Sequence, residues 1–219
     1  MAGGIGEEIM ALHLYEDAQL TRPLSEGDMS APDFAVFDGE HGSYSDKPLY
    51  IAVERTRLTE ALTDSATVVR VQDTRRFRNG ELILVDNEQM LIVSGAGTLQ
   101  MTVQRGYNQT FPVGHDSGKL VHSGYNYLAY SVAAIETTDG VMQPCLWCQL
   151  SEVRENLGGA VFGQALSLAS GSQPPIVHQD VALTFWRRFT CPANTPVQYK
   201  LNVKLQVMAL EIPLAFQIG

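Results

Sequence analysis

The sequence predicts an all-β protein, an antiparallel β-sandwich that carries an inserted, smaller β-barrel-like module. Three observations carry that prediction. Apolar and polar side chains alternate in residues 11–15, 181–190 and 197–212, the period-two spacing of strands with one buried face. Between Thr67 and Val121 short apolar runs follow one another closely, each closed by residues that tolerate positive φ. The longer strands lie on both sides of that segment, which makes it an insertion.

In chain order, Ala2-Gly3-Gly4-Ile5-Gly6 is too rich in glycine to hold a helix. Residues 11–15 follow as a short strand. From 16 to 47 turn formers such as Asp38-Gly39 and His41-Gly42 dominate, which predicts a long surface excursion with at most a turn of helix. Leu49-Tyr50-Ile51-Ala52-Val53-Glu54 is β-branched and aromatic and reads as a strand, and 58–65 as a helical turn or a loop.

In the module, Thr67, Val69 and Val71 share one face. Leu82-Ile83-Leu84-Val85 and Gln89-Met90-Leu91-Ile92-Val93 flank a tight turn at Asp86-Asn87, and Gly95-Ala96-Gly97 turns into 98–103. The meander ends near Leu120-Val121. Longer strands are predicted at 127–135 and 144–153, then a loop or weak hairpin over the Gly-, Ala- and Ser-rich 155–172. In the last strand Tyr199, Leu201, Val203, Leu205 and Val207 share a face opposite Lys200, Asn202, Lys204 and Gln206. The domains are 1–57 plus 123–219 for the sandwich and its N-terminal arm, and 58–122 for the module.

A chain of 219 residues can bury a core without metals or disulfides as staples. Charged residues make up 18%, below the usual about 25%, which fits a surface partly covered by neighbours. The net charge of −9 and pI near 4.9 give no electrostatic drive onto phosphate backbones, so nucleic acid is disfavoured as a partner. The basic cluster Arg70, Arg75, Arg76 and Arg78 reads as a solvated turn or a salt-bridge patch. No basic n-region leads an apolar run, and no apolar stretch reaches about 18 residues. The expectation is a protein with no membrane partner, made in a reducing compartment. The sequon Asn108-Gln109-Thr110 is expected to stay bare.

Chemistry-bearing residues are few and scattered. Cys145-Leu146-Trp147-Cys148 has ligand-like spacing, but no second pair or matched histidines accompany it. Inside a predicted strand, Cys145 and Trp147 take one face and Leu146 and Cys148 the other, which reads as packed thiols. Cys191 stands apart. His13, His41, His115, His122 and His178 form no metal motif. His115 lies beside Asp116, with Ser117 and Ser123 near, yet no strand-to-helix nucleophile elbow is present. Glu7-Glu8 and Asp17 read as exposed charge rather than paired catalytic acids. The expectation is no active site, no metal and no cofactor.

Residues 80–121, GELILVDNEQMLIVSGAGTLQMTVQRGYNQTFPVGHDSGKLV, resemble a small β module of tailed-phage virion proteins, those of tail, baseplate and neck. The Asp86-Asn87-Glu88-Gln89-Met90 turn, the Arg105-Gly106-Tyr107-Asn108 corner, His115 and Gly118 carry the likeness. Phe185-Trp186-Arg187-Arg188-Phe189 and Pro192-Ala193-Asn194-Thr195 are similar to closing strands of phage structural proteins. The chain departs from the pattern at Gln109, Phe111 and Pro112, where small residues are usual. It also departs at Asn194, where glycine is; asparagine tolerates positive φ, so that turn should survive.

The resemblance implies a non-enzymatic structural component of the virion, assembled in the bacterial cytoplasm with other virion proteins and copies of itself in a symmetric ring. Alternatives are a capsid decoration protein, or a receptor- or carbohydrate-binding module at the tail tip that meets a host-surface glycan. A cell-wall hydrolase would need a convergent cleft that the sequence does not assemble. Asp86, Glu88, Arg105 and Gly106 read as structural turn residues, with Arg105 tying loop carbonyls or Glu88. Tyr107, Phe111, Trp186 and Arg187 are the candidate contact residues. The N-terminal arm and the 213–219 tail are candidates for strand addition to neighbours.

Overall fold

Strands account for nearly all regular structure in the computed structural model, which describes residues 12–24, 35–73, 77–168, 182–198, 200 and 202–213, with backbone alone at 126, 128–130 and 211–213. The Gly-rich opening, Glu7-Glu8, Arg75, Arg76, His178, Tyr199, Leu201 and the arms at 1–11 and 214–219 lie outside the described residues.

The chain begins with β1 (Leu12–Tyr15), which pairs antiparallel with β2 (Ser43–Val53). The second strand is longer than its sequence predicts. Residues 43–47 belong to it rather than to the surface excursion, because they pair with 187–191 in register. Their charges hid the strand: Asp46 and Lys47 look like loop residues until Arg188 is placed beside Asp46.

After the single residue Glu54 the chain enters a second body. There β3 (Arg55–Arg57), β4 (Val68–Arg70), β5 (Leu82–Val85), β6 (Glu88–Ser94), β7 (Gln100–Gln104) and β8 (Leu120–Ser123) form one sheet in the order β3-β8-β5-β6-β7-β4. The sheet curls until its ends meet. A bridge between Leu58 and Val71 joins them, with Thr59 N–H donating to Arg70 O at 3.0 Å and Gln72 N–H to Arg57 O at 2.9 Å. Closing a sheet on itself removes exposed edges. Its interior holds a separate apolar cluster including Val69, Ile83, Val85, Met90, Ile92, Met101 and Val121. This sheet runs from Arg55 to Ser123, so it takes in strand residues on both sides of the 58–122 expected from sequence.

Gly124 returns the chain to β9 (Tyr125–Thr138), followed by β10 (Val141–Pro144), β11 (Cys148–Ser151), β12 (Leu166–Ser167), β13 (Leu183–Cys191) and β14 (Val203–Pro213). One sheet runs β1-β2-β13-β11. The other is built on β9, which pairs with β10 and β12 along one edge and β14 along the other. Their facing sides share a core in which Leu49, Ile51, Tyr127, Val132, Cys148, Leu150 and Phe185 meet. This is the antiparallel sandwich. Each fully buried side chain of that size contributes about 1.5–3 kcal/mol.

Two further sequence boundaries are corrected. Residues 144–153 are not one strand: β10 ends at Pro144 in one sheet and β11 begins at Cys148 in the other. A turn closed by Cys148 N–H donating to Cys145 O at 3.1 Å carries the chain across. The last strand starts at Val203, not 197; within it Val203, Leu205, Val207 and Ala209 face the core. Residues 154–159 wind into 3-10 turns that bury Leu157. The Asn194 turn adopts φ 61°, with Thr195 N–H donating to Gly39 O at 2.8 Å. Replacing Phe185, wholly buried between the sheets, with alanine should lower the unfolding free energy by about 3–5 kcal/mol, read from denaturant midpoints.

Candidate functional site

The densest polar constellation lies in the small barrel. Asp86 holds φ 51° in the two-residue turn between β5 and β6, a conformation that short carboxylate side chains tolerate. Two residues on, β6 opens with Glu88, whose side chain is fully buried. A buried carboxylate is costly unless its lone pairs are met. Here they are. Arg105 at the end of β7 donates from Nε and Nη2 at 2.6 and 2.7 Å. The backbone N–H groups of Gly106 and Val113 donate at 3.1 Å each, and His115 Nε2 lies 3.0 Å away.

Arg105 spends its other donors on carbonyls: Thr63 at 2.6 Å, Ala66 at 2.7 Å and Val113 at 2.7 Å. The second ring nitrogen of His115 meets Asp86 Oδ2 at 2.9 Å, and Lys119 Nζ meets Asp86 Oδ1 at 2.9 Å. His115 thus bridges the two carboxylates through its two ring nitrogens. Gly106 turns the corner at φ 62°, where an added Cβ would stand 3.0 Å from Thr110 O.

Charge follows this geometry. Burial alone would raise the Glu88 carboxyl, but the bonds from Arg105 and His115 outweigh it and hold the group below the usual range. Asp86 behaves alike: partial burial pushes it up, and His115 with Lys119 brings it below its ordinary value. A cluster so extensively bonded binds loops together.

Asp86, Glu88, Arg105 and Gly106 thus come together, and His115 joins them. His115 does not pair with Asp116 or with a serine: its ring is taken by the two carboxylates, and Ser117 Oγ donates to Thr59 O at 3.0 Å. Gln89 is a buried member that sequence reading missed. Its backbone N–H donates to Thr110 Oγ1 at 3.1 Å, and its side-chain oxygen accepts from Asn108 Nδ2 at 2.7 Å.

The four contact candidates divide. Tyr107 is half-buried in the 3-10 turn Tyr107–Gln109, while Phe111 is 72% exposed on the same loop. Trp186 and Arg187 lie on β13 of the sandwich. Trp186 is half-exposed on the outer side, with Arg154 over its ring at 5.5 Å. Arg187 is buried beside the Phe189 ring and offers a partner little surface.

Cys145 and Cys148 are both buried and unbridged, with Leu146 between them exposed. They share the inner side because the segment is a turn, not the strand whose alternation would separate them. Burial pushes the Cys148 thiol up to about 12 and raises that of Cys145, which suppresses the thiolate needed for redox work. Among the described residues no three His, Cys, Asp or Glu side chains gather as metal ligands. Of the basic cluster, Arg70 pairs with Glu60 at 3.0 Å. An open groove of about 210 Å³ lies between Leu20, Arg55, Arg57 and Asp73, where Thr56 Oγ1 donates to Asp73 at 3.0 Å.

No protein-family model matches the chain, and no curated protein matches it.

Glu88→Gln should destabilise the barrel by about 3–5 kcal/mol, since it strips Arg105 of its charged partner in a buried site; differential scanning calorimetry measures it. The lowered Glu88 and Asp86 carboxyls also set a pH dependence. Their contribution is complete above their unfolded values, near 4.5 and 3.8, and is lost as pH falls through the folded ones. Denaturant midpoints should therefore drop on acidification below about pH 5, and less steeply in Glu88→Gln than in the wild type.

Proposed function

We propose that the chain is a non-enzymatic structural component of a tailed-phage virion, in the tail, baseplate or head–tail connector, which acts by fitting against neighbouring subunits. The observation that carries this reading is the rigid display of an apolar tip. Phe111 and Pro112 are exposed, yet both flanks of their loop are clamped. Thr110 Oγ1 bonds Tyr107 O at 2.8 Å, and Val113 is held through both its N–H and its carbonyl by Glu88 and Arg105.

An exposed phenylalanine on a fixed backbone loses little entropy when a partner's pocket closes over it. Such anchors suit assembly by shape. Further support comes from a second apolar area, where Leu146, Val161 and Phe162 are 69%, 62% and 40% exposed on neighbouring turns; Leu146 Cδ2 comes within 3.5 Å of a Cβ built on Gly163. Clustered exposed apolar side chains suit protein–protein contact. The virion setting of the proposal rests on the sequence resemblance of 80–121 to tail, baseplate and neck modules.

Cryo-electron microscopy of the intact particle tests the reading. The expected result is a ring of copies at tail, baseplate or neck, with the Phe111 loop seated in a neighbour. Phe111→Asp should keep the wild-type melting temperature and enter particles about tenfold less or worse, as loss of a central anchor predicts. Particles that lack the chain altogether would overturn the proposal.

A further inference from the structure

The outer side of the β1-β2-β13-β11 sheet holds a group of side chains that neither the core nor the polar hub uses. Register sets Tyr44 beside Thr190, Asp46 beside Arg188 and Pro48 beside Trp186. Alternate residues of the two strands therefore build one strip on the same face. Asp46, whose side chain is 6% exposed, accepts a bidentate pair from Arg188 at 2.7 and 2.9 Å. That pairing keeps its carboxyl below the usual range.

The Arg188 guanidinium lies 4.2 Å from the centre of the Tyr44 ring. One face of the ring is thus held by a cation that is itself clamped by a carboxylate, while the residue stays 63% exposed. Further along, Arg154 covers the Trp186 ring and comes within 3.6 Å of the same Asp46. Two aromatic rings and a network of planar charged groups form one connected surface.

A ring fixed from one side loses little freedom when a ligand stacks on the other. The ligand that suits this surface has an apolar face and a rim of groups that both donate and accept hydrogen bonds. Nucleobases stack well, but their phosphates meet a chain of net charge −9. An apolar side chain of a protein would cover the ring and leave the exposed donors of Arg154 beside it unmet. A pyranose offers both parts. Its C–H face lies on an aromatic ring, and its hydroxyls reach the guanidinium groups and the threonine around it. Tyr44 and Pro48, the neighbour of Trp186, are four residues apart on β2, about 13 Å at strand rise. That span suits an oligosaccharide rather than one sugar.

We propose that this strip binds an oligosaccharide, with Tyr44 as the principal stacking platform, Trp186 as a second ring, Arg154, Arg188 and Thr190 bordering the chain of sugars, and Asp46 holding Arg188 in place beneath them. The surface stands independently of the assembly reading.

The intact protein is titrated calorimetrically with chitohexaose, maltohexaose, O-antigen polysaccharide and Gram-positive wall polysaccharide. Saturable binding to at least one probe is expected, weakened about tenfold or more by Tyr44→Ala, as loss of a stacked ring predicts. Tyr44→Leu, which keeps an apolar side chain and loses the ring, should weaken it similarly, and near-ultraviolet circular dichroism checks that both variants are folded. Phe111→Ala, on the barrel loop, should bind as the wild type does. Absence of saturable binding to all four probes at millimolar concentration overturns the proposal. So does binding that both Tyr44 variants leave unchanged.

Discussion

A single buried carboxylate organises the barrel. Its strands are three to seven residues long, too short for backbone ladders alone to fix the connections between them. Glu88 accepts from a guanidinium, two backbone N–H groups and an imidazole. Through Arg105 it also fastens the loop that carries Thr63 and Ala66. Burying a carboxylate costs several kcal/mol, and full satisfaction of its lone pairs offsets that cost. In exchange, loops distant in sequence share one anchor, and the exposed tip at Phe111 inherits their order.

The sequence makes the all-β class and the sandwich legible because period two survives wherever one sheet face is buried. Val203, Leu205 and Val207 are plain examples. The barrel's hairpins are legible for a different reason, since residues suited to positive φ stand where the turns are: Asp86 at φ 51° and Gly95 at φ 80°. Strand ends were harder. Ser43–Val53 opens with polar and charged residues, and the bidentate partner of Asp46 lies on β13, more than a hundred positions away. The break at Cys145 was invisible because an apolar run looks alike whether it continues in one sheet or crosses between two.

The hub was half legible. Arg105 and Glu88 could be linked because the corner and the turn were conspicuous, and the structure places them 2.6 Å apart. The true partners of His115 lie 27 and 29 residues away, beyond any local spacing rule. Its sequence neighbours Asp116 and Ser117 were therefore the wrong companions to consider. The contact residues show the limit of reading aromatics from sequence: Phe111 is exposed, whereas Arg187 turned inward because β13 alternates and 187 falls on the core side.

The chain passes between sandwich and barrel twice, through Glu54 and through Gly124, each a single residue between paired strands. The two passages are bonded to each other, Ser123 N–H donating to Glu54 O at 3.0 Å, and Gly124 N–H reaches Leu82 O at 2.8 Å. On the sandwich side the passages open into β2 and β9, each an interior strand of its own sheet. A lone tether would let the barrel swivel; two braced ones, rooted in different sheets, resist torque. Twisting one crossing against the other would strain the bond from Ser123 to Glu54.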